Sequence, residues 1–323
     1  MADRFRAAAR REGRGRQTPF NGRMLRLNMR GIYRVLARYK TQFWSHHKVH
    51  FPVIADFFYD NLLRVIGKMK IVISFFGITR SLKHTVPSIK ENILLPARNH
   101  GEVSVVAHYF DLPYIKNVRT GEDFYLDTNE YSLLKYDKLV IEKPQECLEK
   151  WQFDKIASYG DAWNDSFSSL KNLIHQLHSL DTATSMATEF DPDLVIFCRP
   201  DLEYHDSFEK VLRYFSKKKF NGAVIPFWQW WGGYNDRFAF CGRDAIRDYG
   251  CRARSMNSFL ERSTTPLHSE KLLRFSLNQS NVPVRVTDLR ASRIRANGQR
   301  KEETFSGKDG MSLRDTLYYL KRI

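Results

Sequence analysis

The sequence predicts an α/β protein with a mixed, mostly parallel sheet and helices on both faces. Apolar, β-rich runs of five to nine residues alternate along the chain with longer segments that are apolar every three to four residues. Strands that alternate with helices indicate βαβ crossovers, and buried parallel strands have continuous apolar runs such as LVIFC. The 323 residues are 42% hydrophobic, which is enough for a large core.

The elements follow one another in a regular order between residue 68 and residue 277. Each strand is a short apolar run bounded by charged residues, glycine or proline. Each helix has an apolar stripe, and several begin after polar residues. The predicted strands are KMKIVISFFG (68–77), EVSVVAHYF (102–110), DKLVIEKP (137–144), DLVIFCRPDL (193–202), GAVIPFW (222–228) and DRFAFCG (236–242), and the predicted helices lie within 84–96, 163–190, 207–218 and 265–277.

The positive charge is concentrated at the N-terminus. Residues 1–40 contain 12 Lys and Arg against 2 Asp and Glu, whereas the whole chain carries +16. We divide the chain into a basic tail (1–22), a basic amphipathic helical segment (23–66) and a catalytic domain (67–323). The basic segment within 1–40 has two interpretations, an anionic membrane surface as partner or a helix packed on its own domain. Nucleic acid is disfavoured, since no recognition motif follows.

Cysteine usage and hydropathy indicate the compartment. The four cysteines form no CxxC pair, which is typical of a reducing compartment without disulfides or a zinc site. No apolar stretch approaches the ~20 residues that a membrane-spanning helix needs. The sequence therefore predicts a cytoplasmic protein, at most associated with the membrane periphery.

A carboxylate at the end of the most apolar strand is the main candidate for chemistry. Asp201 follows LVIFC, so it should lie at the carboxyl rim of the sheet, where α/β proteins bind ligands. There it can hold Mg²⁺ or Mn²⁺ bridging two phosphates, with Glu203 as a second ligand. Arg199 can neutralise the same phosphates or hold Asp201 ionised. The alternative is a structural Arg–Asp pair that ends the strand. Asp191 and Asp193 also form Asp-x-Asp, but they precede the strand and should lie at its opposite end.

The turn after the first strand is a second candidate. Gly77 allows a close backbone approach to a phosphate, and Arg80 can form bidentate bonds to a diphosphate. The chain lacks both GxGxxG and a P-loop here, which disfavours dinucleotide enzymes and P-loop nucleotidases. The alternative is an ordinary βα turn with solvent-facing basic residues.

A third candidate segment combines aromatic, glycine and polar residues. In FWQWWGGYNDR, Trp231 and Gly233 precede Asn235, Asp236 and Arg237. Aromatic faces stack on sugars and nucleobases, and the polar triplet can bond to hydroxyls. The alternative is core packing.

The segment TPLHSEKLL supplies two further candidates. Its residues His268 and Glu270 stand just before a predicted helix, and either is a candidate general base for a hydroxyl. The alternative for this segment is helix capping by Ser269 and Glu270.

Four motifs in order resemble GT-A-type glycosyltransferase-like proteins of bacterial and viral polysaccharide biosynthesis. They are the G-x-x-R-S turn, the R-P-D-L strand end, the N-D-R-F-A segment and LHSEKLLRFSL, across residues 68–298. The resemblance implies a single GT-A-like, Rossmann-like nucleotide-diphospho-sugar domain. One departure is that Arg199 stands where most GT-A enzymes have the first Asp of Asp-x-Asp, which puts metal dependence in question.

The resemblance also implies roles for individual residues. Asp201 takes the place of the family's metal-binding aspartate. Asp236 becomes the first candidate for the base in an inverting mechanism, or for orienting the acceptor in a retaining one. The other carried-over residues are Phe76, Gly77, Arg80 and Arg199 on the donor side and Trp231, Gly233, Asn235 and Arg237 on the acceptor side.

The leading functional hypothesis is a sugar transferase. It would move a sugar from a nucleotide-diphosphate donor to a hydroxyl of a glycan or lipid-linked acceptor, assisted by Mn²⁺ or Mg²⁺. The alternatives are a nucleotidyltransferase on the same sheet and a basic scaffold that binds membrane or polyanion without catalysis.

Overall fold

A seven-stranded sheet forms the centre of the part of the chain that the structure describes. The structure is a computed structural model, and it describes residues 68–263, 265–306, 312, 315 and 317–323. The basic tail (1–22) and the amphipathic segment (23–66), with the proposed membrane contact of residues 1–40, lie outside the described residues.

Most strands begin and end close to the predicted apolar runs. The predicted strand DLVIFCRPDL is divided in two at Arg199–Asp201, where Pro200 has no N–H to continue a ladder. Four strands were not predicted: two short hairpin strands after the second strand, and two strands after residue 283. The strands are β1 (Met69–Gly77), β2 (Gly101–Phe110), β3 (Tyr114–Asn117), β4 (Glu122–Tyr125), β5 (Lys138–Glu142), β6 (Leu194–Cys198), β7 (Leu202–Tyr204), β8 (Ala223–Pro226), β9 (Ala239–Gly242), β10 (Val284–Thr287) and β11 (Ala291–Arg293).

Six of the seven strands of the central sheet run in the same direction. The spatial order is β10-β8-β9-β6-β1-β2-β5, and β9 alone is antiparallel to its neighbours β6 and β8. The other pairs are parallel. The predicted mixed, mostly parallel sheet is confirmed. Because β1, β2, β5 and β6 end at the same edge, the segments after them meet there.

Helices cover both faces of the sheet. Alternate side chains of β1 belong to different cores: Ile71 and Phe75 pack with the first helix, and Val72 and Phe76 pack with the long central helix. A helix of the structure overlaps each predicted helical segment, namely 84–96, 163–190, 207–218 and 265–277. The helices are α1 (Leu82–Ile89), α2 (Leu95–His100, joined to α1 by a π-helical turn), α3 (Gln145–Lys150), α4 (Phe153–Ala157), α5 (Ser168–Thr188), α6 (Glu209–Lys218), α7 (Ile246–Gly250), α8 (Met256–Arg262) and α9 (Ser269–Gln279).

Two small antiparallel ladders bring further segments to the edge where β1 and β6 end. β3 pairs with β4, and β7 pairs with β11. The second ladder places the segment after β11 beside Asp201, whose backbone oxygen accepts a hydrogen bond from Ile294 N at 2.9 Å. The Ser81 hydroxyl donates to the backbone oxygen of Ile294 at 2.9 Å, which ties this segment to α1 as well.

Two further features concern cysteines and hydropathy. The four cysteines are buried free thiols. Among the described residues, no helix combines the length and the apolar character needed to cross a bilayer.

Candidate functional site

A cavity of about 1040 Å³ lies at the edge where β1, β2 and β6 end. Its wall comes from parts of the chain that are far apart in sequence: the β1 turn, the β3–β4 hairpin, α5, the Arg199–Asp201 bend, the segment before β9, the start of α9 and the segment after β11. The volume is at the upper end of the range for small-molecule sites, roughly 300–1,000 Å³.

Most of the candidate site residues from the sequence line the cavity. Three of the thirteen, Glu203, Gly233 and Asn235, do not line it. The ten that do are Phe76, Gly77, Arg80, Arg199, Asp201, Trp231, Asp236, Arg237, His268 and Glu270.

Asp201 lies at the carboxyl rim, as predicted, but its carboxylate is saturated by arginines. Arg199 donates from Nε to Oδ1 at 2.9 Å and from Nη2 to Oδ2 at 2.8 Å, and Arg80 Nη2 donates to Oδ2 at 2.7 Å. Asp201 is 2% exposed. Burial by itself raises the pKa of this carboxyl, but the charges and hydrogen bonds of Arg199 and Arg80 outweigh it and hold the pKa well below its usual range. Asp201 is therefore a permanent anion between two cations.

This arrangement does not fit a divalent cation at Asp201 and Glu203. Mg²⁺ and Mn²⁺ need carboxylate oxygens that face them, and the Asp201 oxygens already accept three guanidinium hydrogen bonds. Glu203 is not part of the cavity wall, and its carboxylate pairs with Arg300 at 2.6 Å. The sequence-predicted ligand pair is not brought together on the cavity, because β7 turns Glu203 toward Arg300.

Asp191 and Asp193 lie at the opposite end of β6, as predicted. Both contact Arg243, and the Asp193 carboxylate accepts a hydrogen bond from the backbone of Lys70 at the start of β1. This second Asp-x-Asp therefore has no part in the cavity.

The turn after β1 starts at a glycine in a backbone conformation that other residues rarely adopt. Gly77 has φ of +113°, its backbone N–H donates to Ser179 Oγ at 2.8 Å, and the space around its Cα is open. Arg80 was predicted to bond to a diphosphate, but its two terminal nitrogens bond to Glu122 and Asp201. The guanidinium therefore links two buried carboxylates and does not extend freely toward a phosphate.

Asp236 is a buried carboxylate with one unused oxygen. Its Oδ2 accepts hydrogen bonds from Gln176 Nε2 at 3.1 Å and from the Ser269 hydroxyl, while its buried Oδ1 has no hydrogen-bond partner. Burial raises its pKa, but Arg237, Arg252 and the Ser269 bond lower it to about 2. A carboxylate this acidic is a weak proton acceptor, because efficient bases have a pKa near the working pH. Asp236 is better suited to orient a hydroxyl through Oδ1 than to deprotonate it.

His268 is the second polar group on the same wall. Its Nδ1 lies 3.1 Å from Glu270 Oε2, although the two are not aligned as a hydrogen bond. Trp163 stacks on the imidazole with ring centroids 5.4 Å apart. His268 occupies the N-cap of α9 without a side-chain capping bond, and the Ser269 hydroxyl bonds to Asp236. The Ser269 hydroxyl therefore does not cap α9, which was the alternative interpretation of this segment.

The aromatic and glycine segment divides between the core and the cavity. Trp228 and Trp230 are buried, whereas Trp231 is 48% exposed and lines the cavity. The Asn235 side chain bonds to the backbone of Trp228 and Arg237, so it shapes the loop. A Cβ on Gly233 would lie 1.9 Å from the Glu270 backbone, so this glycine permits packing against α9.

Sequence reasoning missed the segment after β11 and the β3–β4 hairpin. Arg295, Arg300 and Lys301 line the cavity from the first, next to Arg293 at the end of β11, and Lys116 and Arg119 line it from the second. In all, nine Arg and Lys side chains and three carboxylates line the cavity, an excess of six positive charges. The basic residues of VPVRVTDLRASRIRANGQRK were visible in the sequence, but only the β7–β11 ladder places them here.

A separate cluster lies behind the cavity. His108 Nε2 and His178 Nε2 are 2.9 and 3.0 Å from Glu142 Oε2, and these three side chains offer ligand atoms within 4.8 Å of one another, close enough to share a metal ion. Trp151 Nε1–H donates to His178 Nδ1 at 3.0 Å, which leaves the proton of a neutral imidazole on Nε2. A metal ion would have to displace this proton and its bond to Glu142.

Comparisons with known proteins show similarity to solved structures. No protein-family model matches the chain, and no curated protein sequence matches it. Among solved structures, the apo form of mouse xyloside xylosyltransferase 1 is similar with a TM-score of 0.37 and 9% sequence identity, covering 68% of this chain and 84% of that chain. A similarity at this level does not transfer a function.

The Asp201→Asn variant tests whether this carboxylate is a structural anion. We expect a loss of about 3–5 kcal/mol in the free energy of unfolding, because the change leaves the buried Arg199 guanidinium without its counter-charge and leaves Arg80 with Glu122 alone. Chemical denaturation of the full chain measures it. The control is Glu203→Gln, whose ion pair is partly exposed and whose loss should change stability by less than about 1 kcal/mol. Equal stability of Asp201→Asn and wild type would contradict the saturated arrangement.

Gly233→Ala tests the packing role of the second glycine of the pair. We expect a loss of about 3 kcal/mol or more, since the new Cβ overlaps the Glu270 backbone. Gly232→Ala is the matched control, because its Cβ meets only Lys271 Cε at 3.6 Å. That control should cost about 1–2 kcal/mol, from its φ of +78° alone. The same denaturation midpoint for both variants would show that the close approach to α9 is wrong.

Proposed function

We propose that residues 68–323 form a glycosyltransferase that moves a sugar from a nucleotide-diphosphate donor to a hydroxyl of a glycan or lipid-linked acceptor. The observation that carries the proposal is the cavity at the sheet edge, which combines an excess of basic side chains with Asp236 and His268 on one wall. Basic groups suit a diphosphate, and the other two suit a hydroxyl. The motif resemblance across residues 68–298 supports the same class.

The proposed reaction makes two demands on the site. The bond between the anomeric carbon and the diphosphate oxygen breaks, and a bond from that carbon to the acceptor oxygen forms. The diphosphate leaves with the bonding electron pair, and the acceptor hydroxyl loses its proton to a base. The site must therefore stabilise negative charge on the leaving group and accept one proton.

We assign these demands to different parts of the wall. His268 accepts the proton of the acceptor hydroxyl, since a neutral imidazole has one ring nitrogen with a free lone pair. Asp236 Oδ1, which has no hydrogen-bond partner in the described structure, orients that hydroxyl. Trp163 and Trp231 line the cavity and offer faces for a sugar or a base.

The metal and membrane parts of the sequence hypothesis have different outcomes. The residues around Asp201 do not fit Mn²⁺ or Mg²⁺, so the proposed mechanism uses side chains alone. Contact of residues 1–40 with an anionic membrane surface remains a prediction from the sequence.

A panel of nucleotide sugars tests the proposed class. We expect the full chain to release nucleoside diphosphate from one donor, and an acceptor glycan to increase that release. Chromatography of the products measures it, and release of pyrophosphate would instead indicate a nucleotidyltransferase. No nucleoside diphosphate release from any donor, with or without acceptor, would contradict a transferase.

His268→Ala tests the assignment of the base. We expect kcat for transfer to fall by about 10²–10⁴, the usual contribution of a general base, while affinity for the nucleoside diphosphate changes little. The matched control is His84→Ala, an exposed histidine outside the cavity. It should retain wild-type kcat. Transfer by His268→Ala at the wild-type rate would remove His268 from the mechanism.

A further inference from the structure

Three basic side chains on one wall of the cavity are poorly neutralised by the protein. Arg237 approaches from the loop before β9, Arg293 from β11, and Lys301 from the segment that follows β11. The backbone N–H of Lys301 donates to the backbone oxygen of Arg293 at 2.8 Å, which holds this segment against β11. We call these three residues the basic cluster.

Arg237 is buried without adequate partners. Its side chain is 10% exposed, and Nη1 lies 3.6 Å from Asp236 Oδ1, which is outside hydrogen-bond distance. Its buried Nε has no hydrogen-bond acceptor in the described structure. Asp236 is moreover bonded to Gln176 and Ser269 and lies 3.9 Å from Arg252. A buried guanidinium with free donors that faces a cavity indicates an anionic ligand.

The other two members reinforce this excess of charge. Arg293 Nε donates to Glu303 Oε1 at 2.9 Å, and the other Glu303 oxygen is bonded to Gln229. Lys301 makes no ion pair within 4 Å among the described residues, and Glu122 and Glu203 pair with Arg295 and Arg300 instead.

The titration of the cluster reflects the same lack of counter-charge. Burial, followed by the charges of Arg237 and Arg199, lowers the pKa of Arg293 to about 10. Lys301 is exposed by surface area, but partial desolvation of its ammonium group and then the charge of Arg293 lower its pKa to about 8. An anion bound among these groups would relieve that repulsion.

We propose that the basic cluster holds the diphosphate of the nucleotide donor directly, and that no divalent ion at Asp201 takes part. This inference rests on the proposed function and names the part of the cavity that neutralises the leaving group. It follows from a disagreement between resemblance and structure: the implied metal position at Asp201 is saturated by Arg199 and Arg80, while the three cations of the basic cluster share one hydrogen-bonded anion, Glu303, which bonds to Arg293. The basic cluster then supplies the positive charge that a metal ion supplies in the family that the sequence resembles.

Calorimetric titration of the full chain in the presence of EDTA tests the cluster. The probes are inorganic pyrophosphate and a panel of nucleoside diphosphates. We expect pyrophosphate to bind in EDTA, one nucleoside diphosphate to bind more tightly, and added Mn²⁺ to change the Kd by less than about threefold. Binding that requires Mn²⁺, or that strengthens more than about tenfold when Mn²⁺ is added, would overturn the proposal. Nucleoside diphosphates that bind no more tightly than pyrophosphate would overturn its assignment to the donor.

Lys301→Met provides the variant, because Lys301 is exposed and its replacement should leave the fold intact. We expect pyrophosphate binding to weaken about tenfold, as for the loss of one charge-assisted contact. Lys217→Met, on the exposed face of α6, makes the same change in net charge and should bind as wild type. Arg237→Met should weaken binding at least as much, with thermal denaturation as its check on folding. Equal binding by Lys301→Met and Lys217→Met would contradict the cluster.

These experiments distinguish failure of the basic cluster from failure of the transferase proposal. Pyrophosphate binding in EDTA without turnover of any nucleotide sugar would leave the cluster standing and remove the transferase. Turnover that depends on Mn²⁺, with Lys301→Met as active as wild type, would keep the transferase and remove the cluster.

Discussion

The buried contact between Asp201 and two arginines is the constraint on which the rest of the cavity depends. Asp201 ends the bend after β6, Arg199 belongs to the same bend, and Arg80 follows the β1 turn. Two charges of one sign cannot be buried together without an anion, so the carboxylate is what allows both guanidinium groups to lie at this edge of the sheet. Arg80 in turn bonds to Glu122, whose carboxylate also accepts from Arg295. The contact therefore connects the central sheet to the β3–β4 hairpin and to the segment after β11.

That constraint changes the chemistry available to the cavity. A carboxylate used up by arginines leaves no oxygen for a divalent ion, and the positive charge of the site resides in fixed side chains. The basic cluster has one hydrogen-bonded anion, Glu303, and its Arg237 lies next to Asp236, with Nη1 3.6 Å from Oδ1. Fixed cations and candidate proton acceptors therefore line the same cavity, and the proposed transfer between a phosphorylated donor and a neutral acceptor rests on this combination. In the proposed mechanism, the low pKa of Asp236 suits it to orient the acceptor hydroxyl, and His268 accepts the proton.

Much of the fold was predictable because the sheet is buried on both faces. The runs KIVISFF and LVIFC have no solvent-facing alternation, so they had to be interior strands, and their order with long helices indicated crossovers. The position of Asp201 at the rim and of Asp191 and Asp193 at the other end followed from the direction of β6 alone. The β3–β4 hairpin was missed because YIKN and EDFY are short and polar. The break of the predicted strand at Pro200 was missed because the apolar pattern resumes at Leu202.

By itself, the sequence determined the class of the fold, the direction of its main strands and the identity of ten residues that line the cavity, since these depend on local apolar pattern and on where a strand ends. Only the tertiary structure decided what those residues do. Whether Asp201 faces a metal or an arginine depends on Arg80, which is 121 residues away. The basic cluster needs β11 to pair with β7, and Asp236 owes its low pKa to Arg237 and Arg252 as well as Ser269. Charge interactions act through space over a few ångströms, and no pattern along the chain records which distant groups come within that range.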